Sequence, residues 1–205
     1  VDNEAIKVIT YKRKSGTKVS DEIKMAYALA QMIDIDISKL KETELKNFWI
    51  LNNENEAQNK ITKEEWQSLK ERRITSSDIK NYKIERVTEE ELSKYNELDK
   101  KAAYIYFLMN QGYAYNEKII KKYVTDLEYA LVASNLDKLS GFDTKVDWDR
   151  VYKYGGVFRS ILGNVSTSES GIPYELKDYY LSKGYSLDDR VGTSYLEYQY
   201  EDILK

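Results

Sequence analysis

The sequence predicts an α+β protein, with a helix-rich head over residues 1–141 followed by a smaller strand-containing base over residues 142–205. Three observations predict it. Apolar residues recur at helical spacing through most of the head, and Ser/Thr-x-x-Glu pairs stand just before several of these runs. After Gly141 the composition turns β-branched and aromatic, with glycine at short intervals. A chain of 205 residues, 41% of them hydrophobic, is long enough for one domain or a pair of small ones with a real core.

Ala5 to Tyr11 reads as a strand, with Ile6, Val8 and Thr10 alternating with Lys7 and Ile9. Ser20 is placed to cap a helix in which Ile23, Tyr27, Ala30 and Ile33 share a face. A second amphipathic stretch runs through Leu40, Leu45, Phe48 and Trp49, and the two together read as a helical hairpin. Asn53 to Asn59 is poor in apolar residues and reads as an exposed, mobile connector.

Capping boxes at Thr62 with Glu65, Thr88 with Glu91 and Thr125 with Glu128 mark helix starts, because hydroxyl and carboxylate can satisfy opposite backbone donors of a first turn. The run opened by Thr88 is the longest. It carries Leu92, Tyr95, Leu98, Ala102, Ile105 and Met109 on one stripe, better read as core than as a cofactor box, and Gly112 is a left-handed stop. The run opened by Thr125 carries Leu127, Leu131, Leu136 and Leu139 and stops at Gly141.

In the base, DTKVDWDRVYKY has strand composition, Gly155-Gly156 reads as a turn, and VFRSILG is a short apolar segment closed by Gly163. VSTSESG is a polar loop. The only proline, Pro173, suits a first helical turn, and Gly184 ends that helix. The last helix opens on Ser194 with Glu197 as a fourth capping box, buries Leu196, Tyr200 and Ile203, and runs to the last residue.

Composition excludes several functions. Lys and Arg (32) nearly balance Asp and Glu (35), so a net charge of -3 generates no field that would draw in nucleic acid. The basic clusters Lys12-Arg13-Lys14 and Lys70 to Arg73 are short and read as surface. No cysteine and no histidine occur, which removes disulfides, thiolate chemistry, the commonest general base and the commonest metal ligand. Catalysis would fall to carboxylates, Lys or Tyr. The chain shows no run of some 18 apolar residues and no leader pattern, so it is expected to be soluble and to carry no targeting signal of its own, while remaining free to be part of an anchored protein.

Motifs with chemical potential are weak. The pairs Asp147 with Asp149 and Asp188 with Asp189 would suit acid-base glycoside cleavage, but such pairs are common in so acidic a sequence and read first as solvated surface. Asp34 and Asp36 resemble half a calcium loop without its glycine and closing glutamate, and no metal is assigned. Ser-x-x-Lys occurs at Ser15, Ser38 and Ser77, but no Ser-x-Asn and downstream Lys-Thr/Ser-Gly follow in order, so acyl-serine machinery is absent from the chain.

The end of the sequence carries a specific resemblance. RVGTSYLEYQYEDIL, Arg190 to Leu204, resembles the segment of Gram-positive class B penicillin-binding proteins that closes the non-catalytic pedestal, or dimerisation, domain, with Gly192, Ser194, Leu196, Glu197, Tyr200, Glu201 and Leu204 in register. Upstream, DWDRVYKYGGVFRSILGNVS is similar to that family's Arg-x-Tyr-Pro-x-Gly motif, with Arg150, Tyr152, Gly155 and Gly163 in place and Lys153 where the proline stands. Ser140 replaces the proline of an expected Leu-Pro-Gly. The family's opening Arg-Gly-x-Ile motif, its membrane helix and its transpeptidase domain are all outside this chain.

The resemblance implies a penicillin-binding protein dimerisation-domain fold and a fragment that is not itself an enzyme. It implies the pedestal of a peptidoglycan D,D-transpeptidase, on the outer face of the cytoplasmic membrane and anchored by a helix not present here. The implied partners are its own transpeptidase domain, a polytopic glycan polymerase, division or elongation proteins, and a second copy in a homodimer; no cofactor is implied. Arg150, Tyr152, Gly155, Gly163, Gly192, Ser194, Leu196, Glu197 and Tyr200 would then shape an interdomain joint. Arg150 and Glu197 would either pair across it or stand as two solvated charges. The competing readings are a free-standing carboxylate-based glycan-processing enzyme and a surface module whose tyrosines stack on glycans.

Overall fold

The computed structural model describes residues 2–151, 156–167 and 170–204. It forms two compact units, a larger one of Val8–Thr144 and a smaller one of Val1–Lys7 with Lys145–Lys205. Among the described residues the strands are β1 (Asp2–Tyr11), β2 (Lys118–Lys121) and β3 (Phe142–Val151), in the sheet order β2-β1-β3. β1 and β2 are antiparallel, with Thr10 opposite Ile119 and a register shift between Ile9 and Thr10. Strict alternation fails at the end of β1, where Val8, Ile9, Thr10 and Tyr11 are all buried, so both faces of this segment are covered.

In the larger unit α1 spans Val19–Ala30, with Lys18 at its N-cap and no side-chain cap. Ser20 therefore lies inside the first turn rather than capping it. The buried face is Glu22, Met25, Ala26, Leu29 and Ala30; of the expected face Ala30 and Ile33 are buried, whereas Ile23 and Tyr27 are only half-buried. A polar partner explains the rotation. Glu22 is fully buried and accepts hydrogen bonds from the Tyr11 hydroxyl at 2.8 Å and from Arg13 Nε at 2.7 Å, so a charged residue takes the inward position the apolar pattern assigned to its neighbour.

Helix α2 (Glu42–Asn52) buries Leu45, Phe48 and Trp49. Helices α1 and α2 both pack chiefly on α7 (Glu97–Asn110) rather than on each other, so the expected hairpin is replaced by a cluster centred on α7. The expected connector at Asn53 to Asn59 is helical as α3 (Glu54–Asn59), held by a fully buried Ala57. Then follow α4 (Lys63–Lys70), α5 (Ser76–Arg86) and α6 (Glu89–Ser93) before α7, and α8 (Asp126–Ala133) after β2.

All three capping boxes read in this region form, at Thr62, Thr88 and Thr125. Two more use aspartate, at Thr75 with Asp78 and Asn96 with Asp99. The Asn96 cap divides the long run opened by Thr88 into α6 and α7, so its apolar stripe belongs to two helices. Helix α8 ends at Ala133, ahead of Gly141, and leaves Leu127 71% exposed. Gly141 accounts for its own position: its φ is +91°, and a Cβ there would come within 2.6 Å of the Lys12 carbonyl oxygen.

The smaller unit contains α9 (Arg159–Leu162), a 3-10 turn at Tyr174–Leu176, α10 (Lys177–Ser182), α11 (Tyr195–Gln199) and α12 (Glu201–Leu204). Pro173 precedes the 3-10 turn, and Gly184 follows α10 with a φ of +82°. Ile172, Tyr180, Tyr185 and Val191 form its core, with Leu176 against them.

Candidate functional site

The sequence-predicted motif residues of the smaller unit converge on the segment from Arg190 to Glu201. Arg150 leaves β3 and donates from Nη2 to Glu197 Oε2 at 2.6 Å, with the Glu197 side chain 5% exposed. Two places along β3, and so on the same face, Trp148 lies under both Arg150 and Arg190, whose guanidinium carbons are 5.7 and 4.4 Å from its ring centre. Arg190 also donates to the Asp147 carboxylate and the Trp148 carbonyl. Planar guanidinium groups suit this combination of stacking and directed hydrogen bonds.

Glycines let the backbone close around this pair. An added Cβ on Gly192 would sit 2.1 Å from the Glu197 carbonyl oxygen, and one on Gly163, whose φ is +93°, would sit 2.0 Å from that of Ser194. Neither position accepts a side chain without backbone movement. Val165 and Gly192 form an antiparallel bridge, flanked by Thr193 N–H donating to Asn164 O at 2.8 Å and Ser166 N–H to Val191 O at 2.9 Å.

Ser194 and the last helix depart from the sequence reading. Ser194 stands at the N-cap of α11 without a side-chain cap, because its hydroxyl accepts from the Asn164 N–H at 3.0 Å, while Glu197 is engaged by Arg150. The fourth capping box is thus absent. The helix is also divided at Tyr200 into α11 and α12. Its inward residues are acidic. Glu201 accepts from the Gly192 N–H at 2.6 Å, and Glu197 lies one turn before it, whereas Leu196, Tyr200 and Ile203 are 39%, 49% and 76% exposed instead of buried. Buried guanidinium and amide donors select glutamate for the inward face, and the apolar residues are left outside.

Tyr180 completes the arrangement from below Val191. Its hydroxyl donates to the Gly192 carbonyl at 3.0 Å and is pushed up to about 12 by burial and by the neighbouring Glu201, so it stays a donor. Tyr152 and Gly155 lie outside the described residues. Arg190, Trp148 and Tyr180 are participants that sequence reasoning did not single out, although Arg190 stands two residues before Gly192; Asp147 and Glu201 enter in roles the sequence did not assign them, as partners of Arg190 and of the Gly192 amide.

These contacts hold three segments in place, and the carboxylates that meet here are committed to arginine or backbone donors. Asp149, half of the pair weighed for glycoside cleavage, accepts from the Arg150 N–H at 2.9 Å, and Asp147 is taken by Arg190. In the larger unit Asp34 is bound by Lys101 at 2.7 Å and Asp36 by the Ser38 N–H at 2.9 Å. Among the described residues no helix is long and apolar enough to cross a membrane.

The family model for the penicillin-binding protein dimerisation domain matches residues 1–205. The chain belongs to that family. It is 40% identical over 206 residues to penicillin-binding protein 2A of Bacillus subtilis, covering all of this chain and 29% of that protein. It is 30% identical over 208 residues to penicillin-binding protein 2B of Streptococcus pneumoniae, again over all of this chain and 30% of the relative. The solved structure of penicillin-binding protein 2B from S. pneumoniae strain R6 superposes with a TM-score of 0.65 at 28% identity, over 98% of this chain and 31% of that one. The chain thus spans about a third of the length of the relatives it matches. As a penicillin-binding protein dimerisation domain it has the α+β, helix-rich architecture that the sequence predicts, and its small sheet is the β2-β1-β3 sheet described above.

Proposed function

We propose that this domain is the non-catalytic pedestal of a membrane-anchored peptidoglycan D,D-transpeptidase, holding a serine-type catalytic domain outside the cytoplasmic membrane and contacting partners in cell-wall synthesis. The observation that carries the proposal is the tail of the smaller unit. Glu197 and Glu201 face inward to Arg150 and the Gly192 amide, while Leu196, Tyr200 and Ile203 face outward. A short helix pinned by its polar side and apolar on its outer side is suited to seat a further domain. On this reading Arg150, Gly163, Gly192, Ser194 and Glu197 shape the joint, and Leu196 and Tyr200 are covered by the catalytic domain. A further partner would be a polytopic glycan polymerase, a division or elongation protein, or a second copy of the domain.

The parent gene tests the proposal. Ser-x-x-Lys, Ser-x-Asn and Lys-Thr-Gly, in that order within a few hundred residues downstream of Leu204, together with an upstream membrane helix, are expected. A parent gene without the three motifs would overturn it.

A further inference from the structure

A cleft of about 540 Å³ opens within the larger unit where α2, α5 and α7 meet. This volume lies in the range of small-molecule sites. The cleft has an apolar interior and one cationic side. Phe48, Ile79 and Ala103, all buried, form its deeper part, and Leu51 and Phe107 continue the apolar lining toward solvent.

The polar groups are unevenly placed. Lys80 and Lys83 line the cleft from α5, and among the described residues neither has a carboxylate partner; Lys83 instead lies 5.8 Å from the centre of the Trp66 ring. The one acidic lining residue, Glu44, accepts from the Lys41 N–H at 2.9 Å as part of the first turn of α2. Tyr106 lines the cleft from α7, and its ring packs on Phe48 at 5.7 Å.

We propose that this cleft binds a compact amphipathic anion, an aryl or medium-chain carboxylate whose hydrocarbon part lies on Phe48, Ile79 and Phe107 and whose carboxylate is held by Lys80 and Lys83, with Tyr106 as a further donor. The excess of cationic over acidic groups decides the sign of the ligand, and the cleft volume of about 540 Å³ decides its size. A neutral ligand would leave the two ammonium groups unused, and a cationic one would be repelled.

The test is calorimetric titration of the 205-residue chain with 4-phenylbutyrate and, in parallel, with the neutral 4-phenylbutyramide. One saturable site is expected for the carboxylate, with the amide about tenfold weaker or worse, the loss expected when charge-assisted hydrogen bonds to the ligand are removed. The doubly substituted K80E/K83E, with both changes on a helix surface, should lower carboxylate affinity by a further factor of about ten or more and leave amide affinity unchanged. The circular dichroism of that variant shows whether it is folded, and Y106F, which keeps the ring, gives an independent reading through a loss of about threefold. Absence of a saturable site up to 10 mM ligand, equal binding of both probes, or indifference to both variants would overturn the proposal.

Discussion

The Arg150 guanidinium meets the Glu197 carboxylate at 2.6 Å, tying β3 to α11 across 47 residues of chain. Both side chains are largely withdrawn from water, at 19% and 5% exposure, so the pairing balances charges that solvent screens poorly. Removing one partner from a buried pair leaves an unbalanced charge and costs about 3–5 kcal/mol, whereas an apolar replacement of both can be nearly neutral. Single variants E197A and R150A should therefore unfold at clearly lower denaturant, and R150M/E197L should recover most of the loss. A double-mutant cycle in urea checks this, and additive single effects would show that the contact carries no coupling.

Gly192→Ala should be severe. The new Cβ would stand 2.1 Å from the Glu197 carbonyl oxygen, and backbone has to move to admit it. A loss of about 2 kcal/mol or more is expected. Gly156→Ala is the matched control, since nothing lies within 4 Å of its added Cβ, and equal melting losses in the two variants would contradict the packing described.

The outward face of the tail should tolerate polar residues. Leu196→Ser and Ile203→Ser remove exposed side chains and should each change the stability of this chain by less than about 0.5 kcal/mol. Thermal melting distinguishes this from a buried stripe, where each would cost several times more.

Acid should act through Glu128. Burial alone would raise its pKa, but the Lys121 ammonium at 2.6 Å and the N–H groups of Thr125 and Asp34 bring it down from the usual 4.5 to about 2. A folded pKa below the unfolded one contributes stability that is present above about pH 4.5 and is lost as pH falls toward 2. The shift corresponds to about 3 kcal/mol. Denaturation curves between pH 7 and 2 should show a shallower acid limb for E128Q, with the two proteins converging near the bottom of that range. Glu65, lowered to about 2 beside Arg86, titrates in the same window and remains in both proteins.

What could be read ahead of the structure followed from the range of the interactions involved. Thr62, Thr88 and Thr125 cap their helices as the spacing predicts because a capping box is complete within four residues. The aspartate boxes at Thr75 and Asn96 obey the same physics but carry Asp where the Ser/Thr-x-x-Glu pattern has Glu. The face of α1 and the inverted tail depend on partners far along the chain. Glu22 turns inward because Tyr11 and Arg13 are there to donate, and Ser194 is drawn from its capping role by the amide of Asn164, 30 residues away. Periodicity of apolar residues does not contain that information. Of the proposed joint, the Arg150 and Glu197 positions were legible through resemblance, while Arg190 and Trp148 become visible only when β3 brings the ring beneath both guanidinium groups.

The most direct test of the pedestal assignment is covalent labelling by a fluorescent penicillin, comparing this 205-residue chain with the full-length parent protein. A labelled band is expected for the parent, abolished when the serine of its downstream Ser-x-x-Lys is replaced, and none for the chain alone. Labelling of the chain alone, or a parent that does not label, would contradict it.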